Sequence, residues 1–154
     1  MDDYFFDQEP PWYFSRGLIE KVIIADGVTK IGEYAFRECE NVTSVKIPVG
    51  VEKISDSAFF GCYGLTNIEI PASVKKIGKS AFRYCEELTS VTISDGVEEI
   101  GGSAFVDCNK LTSVKNIGSG AFYGCTSLEK IFYPAGADFD WELSASNDAE
   151  LIPY

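Results

Sequence analysis

GVTKIGEYAFREC from Gly27, GVEKISDSAFFGC from Gly50, SVKKIGKSAFRYC from Ser73 and GVEEIGGSAFVDC from Gly96 start 23 residues apart. A clipped fifth copy, IGSGAFYGC, starts at Ile117. A fixed period of this size implies a solenoid, in which each repeat is one coil that buries its apolar side only against its neighbours. Strand-like runs separate the copies: VTSVKIP, LTNIEIP, LTSVTIS, LTSVKN and LEKIFYP. The expected architecture is mainly β, with one short helical turn per 23-residue coil, wound as a right-handed superhelix.

One period explains the coil. Leu65, Ile68 and Ile70 are apolar around Asn67 and Glu69, the alternation of a half-buried strand. Pro71, which has no N–H for a ladder, ends it. Val74 and Ile77 form a second inward segment, with Lys75 and Lys76 turned outward. Gly78 is expected to allow a turn. Ala81, Phe82 and Cys85 then suit one short helical turn facing inward. The same slots give an isoleucine column (Ile31, Ile54, Ile77, Ile100, Ile117), a phenylalanine column (Phe36, Phe59, Phe82, Phe105, Phe122) and a cysteine column (Cys39, Cys62, Cys85, Cys108, Cys125).

The ends read as plugs. Ile19, Val22 and Ile24 lie 23 residues before Val42, Val45 and Ile47, and Tyr13 lies 23 before Phe36. Pro11-Trp12-Tyr13 is therefore expected to be a degraded Ala-Phe turn. Leu151 lies 23 residues after Leu128, and Trp141, Leu151 and Ile152 are expected to close the last coil. The fourth period is short, with 17 residues from Cys108 to Cys125. Asn116 replaces the strand isoleucine there, and a step or groove is expected on the outer wall.

The pattern LxxIxIPxxVxxIGxxAFxxC resembles the BspA-like (Treponema-type) leucine-rich repeats of bacterial surface proteins, over residues 18–133. MDDYFFDQEPPWY followed by IEKVIIADGVTKIGEYAF is similar to the opening segment of such domains, and FYPAGADFDWELSASNDAELIPY is similar to the closing one. The resemblance implies a leucine-rich-repeat solenoid, extracellular or at the cell surface, that binds a host or matrix protein and has no active site. In that family the opening segment follows further strands and a secretion signal, so the chain is expected to be a shortened piece. The expected layout within one domain is an N-terminal cap at 1–18, repeats at 19–133 and a C-terminal cap at 134–154.

Charge narrows the partners. Of 24 acidic residues, nine lie at the ends: Asp2, Asp3, Asp7 and Glu9, then Asp138, Asp140, Glu142, Asp148 and Glu150. The remaining 15 face 13 Lys and Arg in the repeats. A chain of net charge −11 without a basic face is not expected to bind nucleic acid or anionic lipid. Acidic caps keep a solenoid soluble and monomeric. The sequence holds no run of 18 apolar residues, so no membrane insertion is expected.

Chemistry is not expected either. With no histidine, a Ser-His-Asp or Cys-His arrangement is excluded, and without a CxxC pair a metal site is not expected. Five cysteines in one slot read as buried thiols rather than a disulfide framework, because parallel neighbours keep their Cβ atoms too far apart. Glu98 and Glu99 read as cross-coil partners of Lys75 and Lys76, not as a glycosidase pair. Ser144–Asp148 lacks the spacing of a calcium loop and reads as a cap turn. No cofactor is expected.

The candidate binding surface is the outward strand face, whose ladder contains Lys21, Ser44, Lys46, Asn67, Glu69, Ser90, Thr92, Ser113, Lys115, Lys130 and Phe132. Two alternatives to a protein-binding or adhesive role stand beside it. One is a passive spacer or cap in a larger protein. The other is a carbohydrate-binding module using Tyr4, Phe5, Phe6, Trp12, Tyr13 and Phe14. A binder should carry a contiguous, non-repeating patch of aromatics and charge on one face, and a spacer should not.

Overall fold

The first four coils each place one strand in each of two parallel sheets. The computed structural model describes residues 2–4, 9–94, 96–115, 130–133 and 150–153. The long strands are β1 (Lys21–Ile23), β3 (Ser44–Lys46), β5 (Asn67–Ile70), β7 (Ser90–Ile93), β9 (Ser113–Lys115), β10 (Lys130–Tyr133) and β11 (Glu150–Pro153). They form one seven-stranded sheet in that order. The short strands β2 (Lys30–Ile31), β4 (Lys53–Ile54), β6 (Lys76–Ile77) and β8 (Glu99–Ile100) form a second sheet of four. Alternation sets the inward face: in β5 and β7, Asn67, Glu69, Ser90 and Thr92 are exposed while Ile68, Ile70, Val91 and Ile93 are buried.

The third wall is where the chain departs from a simple helical turn. Overlapping turns link Ala35 N–H to Gly32 O, Arg37 N–H to Tyr34 O and Cys39 N–H to Phe36 O. Between them, the amides of Tyr34, Phe36 and Glu38 donate to Asp56, Ala58 and Phe60 carbonyls of the next coil at 3.3, 2.8 and 2.7 Å. That alternation needs left-handed residues, found at Tyr34 and Glu38 (φ 54° and 58°), Ser80 and Tyr84, and Ser103 and Asp107. Gly61, at φ 70°, is among the described residues the one member of its column without a side chain to strain. The segment therefore bonds coil to coil, as the strands do. Gly78 serves close approach rather than a turn, since a Cβ there would lie 2.5 Å from the Asp56 nitrogen.

The columns run through the core as spaced. Phe36, Phe59, Phe82 and Phe105 stack with centroids 5.2 Å apart and planes within 10°. Outside them runs a ladder of threonines. The hydroxyls of Thr43, Thr66, Thr89 and Thr112 each donate to the carbonyl one coil back, that of Glu20, Thr43, Thr66 and Thr89 respectively. Cys39, Cys62 and Cys85 are buried free thiols, and the Cys62 and Cys85 sulfurs donate to the Phe36 and Phe59 carbonyls. Burial pushes the Cys39 thiol up to about 11 and the other two further. Thiol titration is therefore expected to find few cysteines reactive in native protein and all five after unfolding without reductant. Fewer than five after unfolding would reveal a disulfide. Phe122, Cys125, the shortened period around Asn116 and Ile117, and the Ser144–Asp148 cluster lie outside the described residues.

At the N-terminal end it is Trp12, not Tyr13, that continues the phenylalanine column. Its ring stacks on Phe36 at 5.5 Å and 16°. Tyr13 instead opens a 3₁₀ helix (Tyr13–Leu18), with the Arg16 guanidinium 3.8 Å over its ring. Hydrogen bonding gives the reason. In later coils the carbonyls of Asp56 and Ala58 accept from the preceding coil, but Glu33 and Ala35 have no preceding coil. Tyr4 N–H supplies Glu33 at 2.9 Å, and Trp12 Nε1–H supplies Ala35 at 2.8 Å. The indole of Trp12 meets both needs, ring and hydrogen bond. Asp3 completes the join by accepting from the Lys30 ammonium and from Glu33 N–H. At the other end β11 pairs in parallel with β10 and sets Leu151 opposite Ile131, not in the Leu128 register that the spacing suggests.

Candidate functional site

The outward strand face is an open wall. Lys21, Lys46, Asn67, Glu69, Ser90 and Thr92 are exposed, and Ser44 is half-buried. Register carries one row from Lys21 through Ser44, Asn67, Ser90 and Ser113 to Lys130. In the second row Glu69 lies opposite Thr92, and Lys115 opposite Phe132. Ile23, opposite Lys46, is 63% exposed at its N-terminal end. The middle of the wall is small and polar, so its side chains are rigidly spaced by the sheet but individually weak anchors.

The short-strand face carries the expected cross-coil pairs. Lys76 Nζ lies 2.7 Å from Glu99, and Lys75 Nζ lies 3.6 Å from Glu98. Exposed pairs of this kind contribute about 0–1 kcal/mol each. They give both glutamates a cross-coil lysine partner. Among the described residues no cluster of three or more metal-ligating side chains exists. No helix among them is long and apolar enough to cross a membrane.

A third surface was not singled out from the sequence. On the turn wall, the ring of Phe60 meets Tyr84 edge-on at 5.4 Å. The Arg83 guanidinium sits 4.7 Å over the Tyr84 ring, donates to the Tyr84 hydroxyl at 3.0 Å and pairs with Asp107 at 3.5 Å. Arg37 lies 5.8 Å over both Tyr34 and Phe60 and pairs with Glu38 at 2.9 Å. Tyr63, 38% exposed, stands between Glu40 and Glu86 in the column they share. Partial burial, then the charges of Glu40, Glu86 and Glu38, raise its pKa. The sequence did hold a signal for this strip. The two positions between each phenylalanine and cysteine read Arg-Glu, Phe-Gly, Arg-Tyr, Val-Asp and Tyr-Gly, and so vary while the residues around them recur.

The aromatic N-terminal segment divides. Tyr4 and Trp12 pack edge-to-face at 5.9 Å over the core. Phe14 is 93% exposed and Leu18 83%. Phe5 and Phe6 lie outside the described residues.

A family model for the BspA type leucine rich repeat region matches six copies, over residues 11–115 and 111–138. The chain belongs to the BspA-type leucine-rich-repeat family. Solved structures agree on the fold. A leucine-rich-repeat protein of T. pallidum is similar at 26% identity and a TM-score of 0.71, over 84% of this chain and 75% of that one. One from Bacteroides ovatus ATCC 8483 is similar at 29% and 0.70, over 90% of this chain and 38% of that one. The pneumococcal vaccine antigen PcpA, at 19% identity, shares the fold, with a TM-score of 0.71 over 93% of this chain and 38% of that one. The BspA-type chain thus spans about 38% of the length of the latter two. Among curated proteins no match was found. BspA-type repeats are interaction modules, generally without enzymatic activity, and typical of bacterial surface proteins.

Proposed function

We propose that the chain is the non-enzymatic repeat module of a secreted or surface-anchored bacterial protein, and that it holds a protein or matrix partner against the outward face of its larger sheet. The observation that carries this reading is the uninterrupted backbone register from Lys21 to Lys130, a row along which Lys21, Asn67 and Ser90 are exposed at one residue per coil. Rigidity matters because a preorganised surface loses little entropy on binding, so even small polar contacts add up over several coils. Family membership supports the interaction role and the surface location. A passive spacer would need no contiguous aromatic and charged patch, and the turn wall carries one. A sugar platform at the N-terminus would lose Trp12, whose ring and indole N–H are both engaged on the first coil.

The test is a matrix-protein array probed with the isolated chain and with a Lys46→Glu/Asn67→Arg/Thr92→Arg variant. The reading expects retention of one or a few partners and a loss of about tenfold in affinity for the variant at unchanged melting temperature. Identical binding by both proteins would contradict it.

A further inference from the structure

We propose that the turn wall is a second docking site, centred on Tyr63, that takes a protein segment presenting a basic side chain beside an apolar one. The site goes beyond the strand-face reading in both place and partner. Its residues sit in the slots that coil stacking leaves free, and those slots have collected tyrosine, phenylalanine and arginine, the side chains that dominate protein-binding hot spots.

Charge decides the partner. Arg83 pairs with Asp107, and Arg37 shares Glu38 with Arg16, so these arginines already have carboxylate partners. Among the described residues no ion pair reaches Glu40 or Glu86, which flank the Tyr63 ring one coil to either side. An ammonium or guanidinium placed over that ring meets its negative face and two carboxylates together. The net charge of −11 draws cationic partners to it and repels acidic ones. The apolar neighbour is set by Phe60 and Tyr84, whose rings meet edge-on and are both half-buried, with Tyr84 close enough to bear on the Tyr63 hydroxyl. The strip is also held in place before any partner arrives. Arg83 is fixed by the Tyr84 ring, the Tyr84 hydroxyl and Asp107, so few rotamers remain to be frozen on binding. Tyr84 holds its position in a left-handed conformation (φ 62°), in the column where Gly61 would be the unstrained choice.

Fluorescence polarisation with short synthetic peptides tests it, using peptides with one Arg beside one Leu and matched peptides with Glu in place of Arg. The Arg peptides are expected to bind at least about tenfold more tightly than the Glu peptides, and less tightly as salt is raised. Tyr63→Ser should weaken the Arg peptides about tenfold, and Glu40→Lys with Glu86→Lys should abolish the preference, both at unchanged melting temperature. Lys46→Glu/Asn67→Arg on the strand face should leave peptide binding unaltered, which separates this site from the strand-face reading. Absence of binding, equal binding of Arg and Glu peptides, or full retention of the preference by the Glu40→Lys/Glu86→Lys variant would overturn the proposal.

Discussion

Removing residues 1–17 is expected to lower the melting temperature sharply and turn the chain into oligomers. The deletion strips the Trp12 ring from Phe36 and Tyr4 from Trp12. It leaves the carbonyls of Glu33 and Ala35 without the donors that stand in for a preceding coil. It also removes the Asp3 contact to Lys30 and the Glu33 amide. What remains is an apolar end face beside β1, the edge of the larger sheet, and such an edge recruits other chains. Size-exclusion chromatography with thermal melting reads the outcome. A clean monomer with unchanged melting would show that the segment is not a cap, and that its aromatics serve something else.

Phe82→Ala should cost about 3–5 kcal/mol, against less than about 0.5 kcal/mol for Thr92→Ala. Phe82 is fully buried and stacked at 5.2 Å on both Phe59 and Phe105, so truncation leaves a cavity and breaks two ring contacts. Thr92 lies exposed on the strand face, and among the described residues its side chain makes no hydrogen bond. Denaturant titration of the two variants against the parent chain gives both values. Equal losses would mean that the column assignments are wrong.

What the sequence disclosed follows from what repetition can encode. Residues needed in every coil for stacking recur at one spacing, so the phenylalanine, isoleucine and cysteine columns and the Lys75–Glu98 and Lys76–Glu99 pairs were legible. Trp12 was missed because the first coil lacks a predecessor. The spacing that places Tyr13 over Phe36 knows nothing of the carbonyl of Ala35 that needs a donor. The Ala-Phe segment looked helical because its inward residues have helical spacing, while its coil-to-coil bonding depends on left-handed backbone at Tyr34, Glu38 and their equivalents. From the sequence Gly78 reads as a turn residue, because close approach by Asp56 is a property of the neighbouring coil. The Tyr63 strip escaped for the opposite reason. Its slots do not repeat, and side chains that meet across coils, such as Phe60 and Tyr84, are 24 residues apart in the chain.

The described coils are each held by their neighbours on all three walls, including the turn wall. Amide hydrogen exchange measured residue by residue tests this most directly. The Phe59 and Phe82 amides, which donate across coils to Ala81 and Ala104 at 2.8 Å, are expected to exchange as slowly as the Ile68 and Val91 amides of the central strands. Rapid exchange at Phe59 and Phe82 beside protected strands would mean instead that the turn segment is a local helical turn carried by the sheets, not bonded from coil to coil.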